Sequence, residues 1–274
     1  MNNLIEVSIC IPTYNQTKYL RKTLDSIACQ TYRNFELIIS DDSSNNDVET
    51  LVKEFQENSC IEIKYVRNTS SLGSPNNWNY VISLAQGKWI KIMHHDDWFC
   101  ENDALEKMMK LTKIHTNALI FAGIKGEFIR EKRNYVNLPS QSKVTELQND
   151  PFSLVWANII GPPSTILFPK INVEFDKALI WLVDIEFYLQ LMLKYNLKLV
   201  YIEEVLFENS PDDHNITNDC FQNKELEIKE FNYIFNKFFP SSNFIKRLTF
   251  VKKLKRHISN YAKVNFIELI RANY

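Results

Sequence analysis

Two imidazoles and two carboxylates stand in a row at His94-His95-Asp96-Asp97, directly after the short apolar run 88–93. Such a set can hold a hard divalent cation, and a cation held there can grip a diphosphate. The alternative at this level is that Asp96 caps a following helix and Asp97 is solvated. A second acidic stretch, Ser40-Asp41-Asp42-Ser43-Ser44, ends the apolar run 35–39, and Pro12-Thr13-Tyr14-Asn15 ends the run 7–11. Tyr14 presents a ring on which a base can stack. Asp42 presents a carboxylate that can accept from the imide N–H of a uracil or thymine.

The elements around these residues explain why they should meet. The apolar runs 7–11, 35–39 and 88–93 suit buried strands, and 61–66 alternates apolar with polar residues. Between them lie helical stripes: Leu20, Leu24 and Ile27 after a Thr17 cap, then Val48, Leu51, Val52 and Phe55, then residues 76–85, with Gly87 turning into the last strand. Strand and helix in alternation predict an α/β fold with a mostly parallel sheet flanked by helices. The polar groups then fall at the carboxyl ends of strands, where open α/β sheets bind ligands. No G-x-G-x-x-G follows the first strand and no P-loop pattern occurs, which argues against a dinucleotide-binding dehydrogenase and a P-loop enzyme.

The second half predicts a helix over 102–113, strands at 118–122 and 127–129, and a polar loop over 141–148. A helix starts at Asp150-Pro151, and the rigid turn Gly161-Pro162-Pro163-Ser164 precedes a strand at 165–168. An amphipathic helix over 182–194 opens with Asp184 and Glu186, a strand covers 198–205, and a polar loop over 209–217 holds His214. From about residue 223 onward the pattern is helical. Residues 244–266 mix basic and apolar side chains, which fits either a helix lying on an anionic membrane surface or a solvated helix packed on the domain.

Composition sets outer bounds. The chain has 274 residues, 45% hydrophobic and 24% charged, with a net charge of −1, so it carries no global signature of nucleic-acid binding. Five cysteines without a C-x-x-C pair suggest reduced thiols in a cytosolic protein. No signal-peptide pattern and no bilayer-length apolar run are present.

In order and spacing, 7–15, Gln30-Thr31-Tyr32, 35–44, 79–90 with Ala85-Gln86-Gly87, and His95-Asp96-Asp97 resemble a family 2 glycosyltransferase of the GT-A fold over roughly residues 6–217. The resemblance implies inverting transfer of a sugar from a UDP- or TDP-sugar to an acceptor hydroxyl, with Mn2+ or Mg2+ as cofactor. It implies Pro12, Tyr14, Asn15, Asp42, Asn79 and Asp96 at the nucleotide sugar, Asp97 and His214 at the metal, and Asp184 as catalytic base. It divides the chain into a nucleotide-sugar-binding half (1–100), an acceptor-binding half (101–217) and a helical C-terminal extension (218–274). Its setting would be bacterial surface-polysaccharide assembly, lipopolysaccharide O-antigen or capsule. The acceptor would be a glycan or lipid-linked, at the inner face of the cell membrane, with peripheral membrane contact through the basic C-terminal helices. Three positions depart from the family pattern: His94 where the acidic motif often begins with Asp, Trp78 where Arg is frequent, and Val183 where an acid usually precedes the base. A nucleotidyltransferase, or a non-catalytic nucleotide-sugar-binding scaffold, is the alternative. The lack of Gly in residues 12–18 weighs against the first, and His94 is the feature that favours the second.

Overall fold

The computed structural model describes residues 4–128, 133–210, 220, 222–264 and 269. It is an α/β fold built on a curled, nine-stranded mixed sheet. Strands β1 (Val7–Thr13), β2 (Phe35–Asp41), β3 (Ile63–Arg67) and β4 (Trp89–Ile92) run parallel in the order β3-β2-β1-β4. Helices α1 (Lys18–Ala28), α2 (Asp47–Asn58) and α3 (Asn76–Ser83) make the crossovers. β1 is buried at every position, as a strand covered on both faces must be. Val7, Ile9 and Ile11 enter one core and Cys10 the other, the two-residue period of a pleated strand. Gly87 allows close approach at the entry to β4: a Cβ there would lie 2.6 Å from the Ser8 nitrogen.

Beyond β4 the sheet changes direction. β5 is Asp97–Phe99, α4 Ala104–Thr112, β6 Ala118–Phe128, β7 Arg133–Asn137, β8 Ile166–Pro169 and β9 Lys198–Asn209. β8 joins β4 antiparallel, β6 follows it, β9 runs parallel to β6, and β5 closes the order antiparallel to β9. Two expected strands, 118–122 and 127–129, fall on one continuous β6 as far as Phe128, with a register shift near Gly123; residue 129 lies outside the described residues. Residues 141–148, expected as a polar loop, begin helix α5 (Gln141–Asn149), because Val144 and Leu147, three apart, bury on one side. Thr17 stands at the start of α1 but its side chain makes no cap bond.

Helix α6 (Val183–Leu189) continues into a π-helical turn, Gln190–Lys194. It is buried on nearly every side rather than amphipathic, since the C-terminal helices α7 (Lys224–Phe238) and α8 (Phe244–Ile258) belong to the same core. Both open on asparagine caps: Asn223 accepts from the Leu226 N–H at 3.2 Å and Asn243 from the Lys246 N–H at 2.9 Å. α8 buries Phe250, Val251, Leu254 and Ile258, so one face of the basic segment is packed on the domain. Phe244 and Ile245 at its start are exposed.

Candidate active site

The loops after β1 and β2 form one rim. Asn15, with φ of 47°, donates its N–H to the Ser43 hydroxyl at 2.8 Å, and its Oδ1 accepts from the Ser44 N–H at 3.1 Å. Pro12 pairs across the sheet with Ser40. Tyr14 is exposed and lines, with Asp42, Ser43, Arg67, Asn68 and Ser71, a cleft of about 530 Å³. Asp42 organises the cleft wall. One carboxylate oxygen accepts from Asn68 Nδ2 (2.9 Å) and the Leu72 N–H (2.8 Å); the other accepts from the Ser71 hydroxyl (2.9 Å) and the Gly73 N–H (2.7 Å). Burial pushes its carboxyl up, but these four bonds outweigh it and hold the group below its ordinary value. Gly73 has φ of 71°, a left-handed conformation that glycine adopts without strain and that aims its N–H at Asp42.

The second centre lies where β4 meets β5. His94, Asp96 and Asp97 each bring a ligand atom into a group whose members lie within 4.8 Å of one another. The position expected to weaken the acidic motif therefore contributes a nitrogen to it. Burial pushes the His94 imidazole down to about 4, with Asp96 pulling the other way, so the ring is neutral and keeps a free lone pair. His94 Nε2 is buried, and neither it nor the Asp96 carboxylate has a hydrogen-bond partner among the described residues. Asp97 is almost fully buried; burial first, then the Asp96 charge, push its carboxyl well above the ordinary range, against a hydrogen bond from Ser164. Two carboxylates and a bare imidazole nitrogen at this spacing fit a divalent cation.

Several residues that position this cluster escape a linear reading. Thr23, on α1, sets its hydroxyl between the carbonyls of His95 (3.0 Å) and Asp97 (2.8 Å). Ser164 accepts the His94 N–H at 2.9 Å, and its own carbonyl accepts from Lys91 Nζ. Lys91 is fully buried, donates also to the Ile92 carbonyl at 2.8 Å, and lies 4.3 Å from the Phe207 ring centre. Burial pulls its ammonium well down, while the Asp97 charge supports it. A lysine inside an apolar strand was the one signal in the sequence that could have marked it. Trp78 packs on His94 with centroids 4.7 Å apart, so two departures from the family pattern touch each other. Trp78 meets Phe175 at 5.1 Å, and Phe175 stacks on Phe187 of α6 at 3.9 Å, an aromatic bridge from the cluster to α6.

α6 carries two acids in opposite circumstances. Asp184 has no hydrogen-bond partner among the described residues, and burial pushes its carboxyl up to about 7. It lies close enough for its charge to act on Asp97. Glu186 turns the other way, to Lys237 at 2.7 Å and Gln190 at 2.9 Å. Asn79 is tied to the Phe175 backbone: its amide donates to the Phe175 carbonyl at 2.9 Å and accepts the Phe175 N–H at 2.8 Å. Asn77, beside it, is the buried link between the first two strands. It accepts from the Ser40 hydroxyl at 2.5 Å and donates to the Ser40 carbonyl at 3.1 Å. His214 lies outside the described residues.

Comparison with known proteins adds an independent line. The sequence model of glycosyl transferase family 2 matches residues 8–171. An uncharacterized glycosyltransferase of Rickettsia typhi is 28% identical over 251 residues, covering 89% of this chain and 72% of its own. The abequosyltransferase RfbV of Salmonella typhimurium is 38% identical over 93 residues, 33% of this chain and 28% of its own. Among solved structures, S. aureus TarS 1–349 in complex with UDP-GlcNAc superposes with a TM-score of 0.71 at 18% identity, covering 97% of this chain and 79% of that one. The mannosyltransferase PcManGT of Pyrobaculum calidifontis, in complex with GDP-Man and Mn2+, gives 0.64 at 14% identity, covering 97% and 78%. The structural likenesses speak for the fold, GT-A, and the sequence match spans most of the region that bears the two centres. The chain belongs to glycosyl transferase family 2.

Proposed function

We propose that this glycosyltransferase moves a sugar from a UDP- or TDP-sugar to an acceptor hydroxyl with inversion, and that Asp184 is its general base. The observation that carries the reading is that a half-buried Asp184, with no side-chain partner among the described residues, lies close enough to the His94-Asp96-Asp97 group for its charge to act on Asp97. Tyr14 stacks on the base in the cleft beside Asp42, with Pro12 and Asn15 shaping the rim. An imide N–H reaching Asp42 must displace a donor, since both oxygens are doubly bonded. The Ser71 hydroxyl, which can rotate to water, is the one that yields.

Asp97, Asp96 and His94 would hold Mn2+ or Mg2+, with His214 as a further candidate ligand. Bound there, the ion supplies positive charge to the departing diphosphate. Asp184 accepts the proton of the acceptor hydroxyl as its oxygen attacks the anomeric carbon on the face opposite the leaving group. The proton ends on the Asp184 carboxyl, the new glycosidic bond replaces the bond to the diphosphate, and the configuration inverts. A carboxyl near 7 is matched to that task, because it is ionised at slightly alkaline pH yet basic enough to take a proton. Asn79 is left out of this set, because its amide is committed to Phe175.

The setting in this reading is surface-polysaccharide assembly, and the exposed Phe244 and Ile245 beside the lysines of α8 support peripheral contact with an anionic membrane. The test is a panel of UDP-, TDP- and GDP-sugars with and without manganese, read by thermal unfolding. Manganese-dependent stabilisation by a uridine or thymidine donor is expected. Stabilisation by GDP-sugars alone would overturn the donor assignment.

A further inference from the structure

The base of an enzyme must be held still, yet no side-chain bond among the described residues holds Asp184. Its place is therefore set by the backbone at the start of α6. That start has no cap of its own: Leu182 stands at the cap position and offers no side-chain acceptor. The segment that leads into this start is held from another helix. Glu230 of α7, 1% exposed, takes the N–H groups of Ile180 (2.6 Å), Trp181 (3.1 Å) and Leu182 (2.8 Å) on its two carboxylate oxygens. Charge-assisted bonds of this kind are among the stronger ones, and an anion at a helix start also suits the helix dipole. Seven residues along α7, two helical turns and the same face, Lys237 pairs with Glu186 at 2.7 Å and with Asp176 at 2.5 Å. α7 thus grips the segment before Asp184 and the residue two places after it.

We infer that Glu230 is a positioning residue for transfer: it fixes the entry of α6 and so the place of Asp184, with Lys237 as the second hold. The C-terminal helices are then part of the catalytic machinery rather than an appendage. The inference rests on the reading of Asp184 as base.

The experiment compares Glu230→Gln, Asp184→Asn and the double variant in the full chain. Backbone amide exchange is followed at 180–186, and nucleoside diphosphate release is followed with the UDP- or TDP-sugar that the wild type turns over fastest in manganese. In Glu230→Gln, exchange should rise at 180–182 and stay unchanged in β1 to β4. The kcat should fall about 10- to 100-fold at constant donor KM, the size expected for a misplacement of about 1 Å. Combined with Asp184→Asn, Glu230→Gln should cost nothing further. Unchanged exchange at 180–182 overturns the inference without any turnover measurement. An equal further loss in the double variant also overturns it, because Glu230 would then act elsewhere. Full turnover in Asp184→Asn instead removes the base assignment, whatever the exchange data show. Glu230→Asp, shorter by one methylene but still charged, serves if the glutamine variant does not fold, with about a threefold kcat loss expected; wild-type kcat and exchange there overturn the inference.

Discussion

Asp42 and Asp184 are the same side chain in opposite surroundings. Asp42 closes the β2 loop against residues 68–73 with four hydrogen bonds, and its carboxyl is held below the ordinary value. Asp184 has no such bond among the described residues, and burial raises it to about 7. Asp97, almost fully buried, is likewise raised by burial and by Asp96, although it accepts a hydrogen bond from Ser164. A satisfied carboxylate stabilises the fold and builds a wall. An unsatisfied one costs stability until something arrives, which is a recurrent property of groups that bind or react. The rim at Asp42 is therefore satisfied as it stands, while α6 carries a carboxylate with no such bond among the described residues.

The largest effect that could break this contrast is catalytic. Asp184→Asn should lower transfer by about 10²–10⁴-fold with donor affinity nearly unchanged, while Glu186→Gln, whose side chain faces Lys237, should spare donor affinity and cost far less rate. Steady-state kinetics with a true acceptor decide it. For the wild type, kcat/KM should rise with pH through about 7 and then level, as the free base ionises. The stability sign runs the other way. A carboxyl raised to about 7 in the fold from about 3.8 when unfolded favours the native state below that window and is a liability above it. Asp184→Asn should therefore be more stable than wild type at pH 8, by about 1–3 kcal/mol after allowance for its partial exposure, and the gain should vanish near pH 4.

Next in size is the cation. Manganese at a hundredfold excess over its dissociation constant should stabilise the wild type by about 2.7 kcal/mol in thermal unfolding, and Asp97→Asn should lose that response. Without manganese the same variant should be at least as stable as wild type, because a raised, buried carboxyl is removed. An equal manganese response in both proteins would take Asp97 out of the ligand set.

Asp42→Asn should act in the opposite direction to both. It should destabilise by about 1.5–3 kcal/mol, the worth of bonds to a charged group, and weaken UDP in calorimetry. Because the folded carboxyl is depressed, its contribution is present above about pH 3.8 and is lost as pH falls through the lower folded value. The smallest effect concerns α8. Phe244→Ser with Ile245→Ser should change stability by less than about 0.5 kcal/mol, since both side chains are exposed, while reducing sedimentation with anionic vesicles. Equal sedimentation of variant and wild type would sink the membrane contact.

Much of this was legible in one dimension. The alternation of apolar runs and helical stripes placed β1 to β4 and their crossovers, because burial on two faces and burial on one face leave different periods in a chain. The acidic loops were legible too, since a strand has no packing reason to end in Asp41-Asp42 or Asp96-Asp97. Local pattern failed at α5, where only Val144 and Leu147 report burial in a polar stretch, and at β6, where a bulge hides continuity. What the tertiary structure alone decided is which polar groups are satisfied and by whom. Asp42 meets its donors about 30 residues on, Ser164 meets His94 from 70 residues away, and Glu230 reaches Leu182 across 48. Hydrogen bonds of that separation leave no period behind, because each joins residues whose only relation is the packing of two elements. The sequence by itself therefore determined which polar groups the chain carries, and the packing that buries Asp97 and Asp184 and brings four donors to Asp42 decided how strongly each acid holds its proton.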